Sequence, residues 1–209
     1  SSVEMTSGLW LVCTLIAVIG SAYALLAATL VARFAAGKKP ALRDAEDVTL
    51  LKPLHGSEPE LDSNLNSFCA QAYAADIQMV CGVQDPCDPA ILFVQNLRAQ
   101  FPNSDIRLAV GSKPNLGNPK IANIINMMPN AAHDVLILSD SDMKVEADYV
   151  AEIVAALQQP EVGLVTCLYR ATASSLPGRW EALGIATVFI PSTLVAPLVG
   201  VKEFGLGST

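Results

Sequence analysis

Two carboxylates separated by a single residue, Asp140-Ser141-Asp142, follow directly on the apolar run Val135-Leu136-Ile137-Leu138. A hard cation such as Mg2+ or Mn2+ takes oxygen ligands, keeps positions open for phosphate oxygens, and neutralises charge as a diphosphate departs. An Asp-x-Asp pair at a strand end suits that role. The structural alternative is that Asp140 caps a turn and Asp142 opens the next helix, a common use of Asp where strand gives way to helix. Asp85, in Val83-Gln84-Asp85-Pro86, ends another apolar run. It either accepts hydrogen bonds from a nucleotide's base or ribose, or initiates an Asp-Pro turn. Lys120 closes the Gly/Pro/Asn-rich stretch from Gly111 at a helix start, from which an ammonium reaches a phosphate or simply meets solvent. That stretch lacks the Gly-Lys-Ser/Thr of a Walker A loop. His55 and Glu58 either line the same pocket or sit on a surface loop, and no catalytic triad is assignable.

These residues need a scaffold that gathers strand ends, and the pattern along the chain supplies one. Val48 to Leu54 is a short apolar run with β-branched residues, Leu61 to Ala72 has helical periodicity, and Ile77 to Val83 is apolar again. A helix opened by Asp88-Pro89 runs to about Gln100, followed by a strand at Ile106 to Val110, a helix from about Pro119, and a strand at Val135 to Leu138. A further helix spans Glu146 to Gln158, and Val162 to Tyr169 reads as one more buried strand. Alternating strands and helices predict an α/β fold with a mostly parallel sheet covered on both faces. In such sheets ligands bind beyond the carboxyl ends of the strands, so His55 and Glu58, Asp85, and Asp140 with Asp142 converge on one edge.

The chain has 209 residues, of which 52% are hydrophobic and 16% charged, more apolar sequence than one water-soluble domain requires. A formal net charge of -7 excludes a nucleic-acid partner, since phosphate backbones are held by clustered Lys and Arg. Five scattered cysteines with no CxxC pair read as reduced core residues. No charged residue interrupts Leu9 to Ala32, a run of roughly 36 Å at about 1.5 Å per residue, enough to cross a bilayer core of about 30 Å. Arg33, Lys38, Lys39 and Arg43 crowd its carboxyl side and no Lys or Arg precedes it, which predicts the amino terminus outside and the remainder in the cytoplasm. The expected organisation is therefore a transmembrane anchor over 1–34, a linker over 35–47 and a ligand-binding α/β domain over 48–182. The apolar run from Leu183, broken by Pro191 and Pro197, is expected to form a membrane-interface segment over 183–209; a second span, or core without its partners, are the other readings.

Taken together, Lys52-Pro53-Leu54-His55-Gly56, Val83-Gln84-Asp85-Pro86, Asn118-Pro119-Lys120 with Asn123, Asp140-Ser141-Asp142-Met143 and Gly163-Leu164-Val165-Thr166 resemble the ceramide glucosyltransferase family in order and spacing. Within that family the chain is most similar to the bacterial hopanoid-biosynthesis glycosyltransferases, over residues from about Val48 to the end. The resemblance implies a GT-A fold, a UDP-sugar donor carrying N-acetylglucosamine or glucose, and Mg2+ or Mn2+. It also implies inversion at the anomeric carbon and a lipid acceptor, a hopanoid polyol or a ceramide, at a membrane that would be the bacterial inner membrane. By matching position Asp85 lies near the uridine, Lys120 near the base or phosphates, and Asp140 with Asp142 forms the metal-binding pair. The family's third aspartate, its base, and the Gln/Arg-x-x-Arg-Trp motif are expected beyond Thr209; Arg179-Trp180 comes too early to be that motif. The resemblance thus implies the donor half of a site, with weak or no transfer by this chain alone. A nucleotide-sugar-binding module without activity and an acidic metal-binding signalling domain are the competing readings.

Overall fold

The computed structural model describes residues 2–111, 117–173, 175–201 and 205. Two compact units emerge, one formed by 1–38 with 167–204 and the other by 39–166 with 205–209.

The first unit is helical. Helix α1 (Ser2–Ala35) carries the expected apolar run, and nearly all its described side chains are exposed. Its hydroxyls turn back onto the helix, Thr14 Oγ1 donating to the Trp10 carbonyl at 2.8 Å and Thr29 Oγ1 to that of Leu25 at 2.7 Å. That bonding satisfies both hydroxyls within the helix itself. The other helical run is continuous from Leu176 to Val199: α6 (Leu176–Gly184), a π turn (Ile185–Phe189), α7 (Ile190–Val195) and a 3-10 turn (Ala196–Val199). The π turn ends two residues before Pro191, whose missing N–H breaks the regular ladder. α1 and α7 pack against each other, and Ala27, Pro191 and Val195 are buried. Both runs are long and apolar enough to cross a membrane, the second over 24 residues.

The second unit is the predicted α/β sheet. Strands β1 (Val48–Pro53), β2 (Ile77–Val83), β3 (Asp105–Val110) and β4 (Val135–Leu138) lie in the order β3-β2-β1-β4, and every pairing is parallel. Alternation along the strands sorts the core onto two faces. Val48, Leu50, Met79 and Cys81 meet helices α2 (Leu61–Cys69), α3 (Ala90–Gln100) and α5 (Tyr149–Leu157) through Leu65, Phe68, Val94, Leu97, Val150 and Val154. Leu51, Val80 and Ala109 meet Met127 of α4 (Pro119–Met127) on the other. Helix α4 lies so close to β2 that a Cβ on Gly82 would come within 2.4 Å of the Met127 side chain and 2.6 Å of Asn123 Oδ1. Gly82→Ala is therefore expected to destabilise the fold by about 1–3 kcal/mol through overpacking, read as a lower thermal midpoint of the detergent-solubilised chain; an unchanged midpoint would contradict the close approach.

Three sequence expectations change. Val162 to Tyr169 is not a strand: residues 162–173 lack regular structure, and Leu164 is 68% exposed. Among the described residues the sheet ends at β4, and no further strand is added to its outer edge. Helix α2 stops at Cys69 rather than Ala72, and α5 starts at Tyr149 rather than Glu146. The expected linker is partly tied down. Lys39 is paired with Glu152 and lies 3.9 Å from Asp148, while Gln158 at the end of α5 accepts from the Arg43 N–H and donates to the Asp44 carbonyl.

Candidate functional site

The parallel sheet sends the ends of β2, β1 and β4 to one edge, side by side. After β4, Ser139 N–H donates to the Leu51 carbonyl at 3.1 Å and extends the ladder by one residue, so the chain leaves the sheet at Asp140. Asp140 to Met143 forms a turn closed by Met143 N–H on the Asp140 carbonyl at 3.3 Å. Asp140 is half-buried and Asp142 exposed, and neither belongs to a helix, since α5 begins only at Tyr149.

Lys120 reaches this turn from the opposite wall. Asn118 caps α4, accepting from the Lys120 and Ile121 N–H groups at 3.0 and 3.3 Å, and Pro119 occupies the first turn without an N–H to lose. Gln84, just past β2, donates to the Pro119 carbonyl at 2.9 Å and fixes the helix start to the sheet edge. From there Lys120 Nζ lies 2.5 Å from Asp140 Oδ1. An ammonium, a helix amino terminus and the Asp140 carboxylate thus share one corner, with Asp142 two residues on along the same turn. Residues 112–116 of the Gly111 to Lys120 stretch lie outside the described residues.

The remaining candidates occupy adjoining loops. Asp85 is exposed, and its Oδ1 accepts from Cys87 N–H at 2.8 Å, the turn-forming use of Asp before Pro, with the carboxylate at the open edge. His55 is solvent-facing, its Nδ1 3.4 Å from Asp88 Oδ2. Asp88 is the buried anchor of that loop, accepting from Gly56 N–H at 2.9 Å and Ala90 N–H at 2.8 Å. Glu58 is half-buried, and among the described residues its Oε2 is buried without a hydrogen-bond partner. A small cavity lined by Phe68, Ile77, Met79 and Asp105 sits instead near the amino ends of β2 and β3, away from all of these groups.

Lys52 was not among the sequence candidates. It is fully buried in the central strand, its Nζ 3.3 Å from Ser139 Oγ, bonded to the Asp140 carbonyl, and 3.8 Å from the centroid of the Phe68 ring. Burial pushes its ammonium down from the ordinary 10.5 to about 7, against the opposing pull of Asp140, Asp142 and Glu58. The signal was present in Val48-Thr49-Leu50-Leu51-Lys52-Pro53-Leu54: one charge inside a run otherwise fit for a buried strand. All five cysteines are free, but only Cys81 is the buried core thiol expected, pushed up to about 12 by burial, whereas Cys13 and Cys87 are exposed.

The donor set suits one class of cation. No group of three or more His, Cys, Asp or Glu side chains gathers among the described residues, which disfavours an all-protein cage. Two carboxylates on one turn, one of them exposed, match Mg2+ or Mn2+, which bind through one or two carboxylates and complete their shell with phosphates and water.

The family model described as Glycosyl transferase family 21 matches residues 12–209. The chain belongs to glycosyl transferase family 21. Curated relatives of this family 21 chain include the ceramide glucosyltransferase of Candida albicans, 30% identical in an alignment 123 residues long that covers 54% of this chain and 23% of the relative. Ceramide glucosyltransferase 3 of Caenorhabditis elegans is 28% identical over 120 residues, 57% of this chain and 26% of the relative. The family 21 chain spans about a quarter of the length of the curated relatives it matches. Among solved structures it superposes on a mannosyltransferase from Pyrobaculum calidifontis, in complex with GDP-Man and Mn2+, with a TM-score of 0.57 and 19% identity over 76% of this chain and 46% of that one. At that identity the likeness is one of fold, and it bears out the GT-A-like parallel sheet expected from the sequence.

Proposed function

We propose that the family 21 chain carries the donor site of a membrane-bound glycosyltransferase, which moves a sugar from UDP to a lipid hydroxyl with inversion at the anomeric carbon. The observation that carries this reading is the corner where Lys120, at the capped start of α4, meets the acidic turn after β4. Asp140 and Asp142 would hold Mg2+ or Mn2+, whose chemistry is to neutralise the pyrophosphate of the departing nucleotide. Lys120 and the amino terminus of α4 supply positive charge to the same phosphates. Asp85, two strands over at the end of β2, accepts from the nucleoside, and His55 and Glu58 border the pocket from the end of β1 between them.

The acceptor side follows from the first unit. Two apolar helical runs, with Trp180 72% exposed near the start of one, suit a chain that works at a bilayer, with the sheet on the cytoplasmic side of α1. A hopanoid polyol and a ceramide both present a hydroxyl at that surface, and the ceramide glucosyltransferase names of the relatives support a lipid acceptor. The run 183–201 would guide that lipid, lying in the interface or crossing the bilayer. No described residue is assigned the task of deprotonating the acceptor. Donor binding without turnover is therefore the second reading.

Calorimetry on the detergent-solubilised chain tests the first claim: UDP binding that requires Mn2+ and is lost in Asp142→Asn is expected. UDP binding indifferent to both metal and variant would overturn it. Transfer from UDP-N-acetylglucosamine or UDP-glucose to a lipid polyol or ceramide, assayed on the same preparation, separates transferase from binding module.

A further inference from the structure

Helix α2 presents Asn64, Ser67 and Phe68 on one face, as spacings of three and four residues require. That face lies along the chain from Ser139 to Val145. Asn64 is 4% exposed, and its Nδ2 donates to the Ser141 carbonyl at 3.2 Å. Ser67 Oγ accepts from Val145 N–H at 3.2 Å. Phe68 supports the Lys52 ammonium, which bonds the Asp140 carbonyl and Ser139 Oγ. Two buried side chains from different elements thus donate to consecutive carbonyls, those of Asp140 and Ser141.

We propose that Lys52 and Asn64 are positioning residues that pin the peptide planes of the acidic turn, and so fix the direction in which the Asp140 and Asp142 carboxylates project. This rests on the donor-site reading above. Holding the two peptide planes that flank the Ser141 Cα sets one of the two backbone bonds at residue 140 and one at residue 142, and so narrows the Cα–Cβ directions there, which the turn's single internal hydrogen bond would leave loose. Neither side chain needs to touch a ligand. The composition of the pair supports positioning over packing. A fully buried ammonium without a carboxylate hydrogen bonded to it is costly, and an apolar side chain of similar volume would fill the space at no such cost. Partners that orient ligating side chains in this way typically change metal affinity by about 10–100-fold when removed.

The test uses the full chain in detergent, with Mn2+ followed by electron paramagnetic resonance in the presence and absence of UDP. Lys52→Met and Asn64→Leu, each near its parent in volume, are expected to weaken UDP-dependent Mn2+ binding by about 10–100-fold. Each should also broaden the spectrum of the ion that still binds, a signature that a loss of packing alone does not produce. If Lys52→Met fails to fold, Asn64→Leu and Ser139→Ala carry the test, since each removes one contact to the turn. Wild-type affinity and spectrum in these variants would overturn the proposal and leave the donor site standing. A wild-type chain without UDP-dependent Mn2+ binding would overturn the donor-site reading and the proposal with it.

Discussion

Asp140→Asn is expected to lower Mn2+-dependent UDP affinity by about 100-fold or more, because ligand charge count is what sets affinity in oxygen-ligand sites. The amide keeps the shape of the carboxylate and removes its charge, so the effect isolates electrostatics. Folding should be spared. The Lys120–Asp140 pair lies at the surface, with side-chain exposures of 36% and 26%, and pairs of that kind contribute about 0–1 kcal/mol. Lys120→Met supplies the complementary result. With the ammonium gone, Asp140 Oδ1 no longer has two cations competing for it, so Mn2+ alone should bind more tightly while UDP in saturating Mn2+ binds more weakly. Opposite shifts in two calorimetric titrations are hard to produce by general damage. Equal shifts of the same sign would mean that Lys120 does not serve the phosphates.

Lys52→Met is expected to leave the fold at least as stable near neutral pH while impairing the acidic turn. A lysine held at about 7 rather than 10.5 carries a burial penalty of roughly 5 kcal/mol at 1.36 kcal/mol per unit. Losing two hydrogen bonds costs about 1 kcal/mol each, and the contact with Phe68 about 1–2 kcal/mol more. Penalty and losses are of the same order, and replacing a buried charge by an apolar side chain of similar volume is often neutral or stabilising. Its pH dependence has a definite sign. The folded value lies below the unfolded one, so between about pH 7 and 10.5 the unfolded chain holds a proton that the folded chain has released. Lys52 therefore makes stability rise with pH across that window and leaves its penalty complete and flat below it. Thermal midpoints of the wild-type chain in detergent should climb from pH 7 towards pH 10, relative to Lys52→Met. Parallel profiles for the two proteins would refute the buried charge.

Much of the sheet was legible because its signals are local. Val48–Pro53, Ile77–Val83 and Val135–Leu138 announce themselves as short apolar runs, and Pro119 behind Asn118 marks a helix start within a few residues. The convergence of Asp85, His55, Glu58 and Asp140 on one edge also followed from sequence, since parallel strands put all their carboxyl ends together. What escaped depends on partners distant in the chain. Val162–Tyr169 has strand composition, yet composition cannot supply the neighbouring ladder that a strand needs. Lys52 looked like an incidental charge until the fold brought Ser139 and Asp140 to it across 87 and 88 residues. The residues after Gly37 looked like a spacer, and only the fold sets Lys39 beside Glu152 and Gln158 beside Arg43.

The helical run from Leu176 to Val199 bears on sidedness by simple parity. A polypeptide that traverses a bilayer an even number of times finishes in the compartment where it began. If both runs traverse, whatever follows Val201 surfaces in the same compartment as Ser1. If the later run only skims the headgroups, those residues stay in the compartment that holds Arg33, and tagging either flank reads out which count holds.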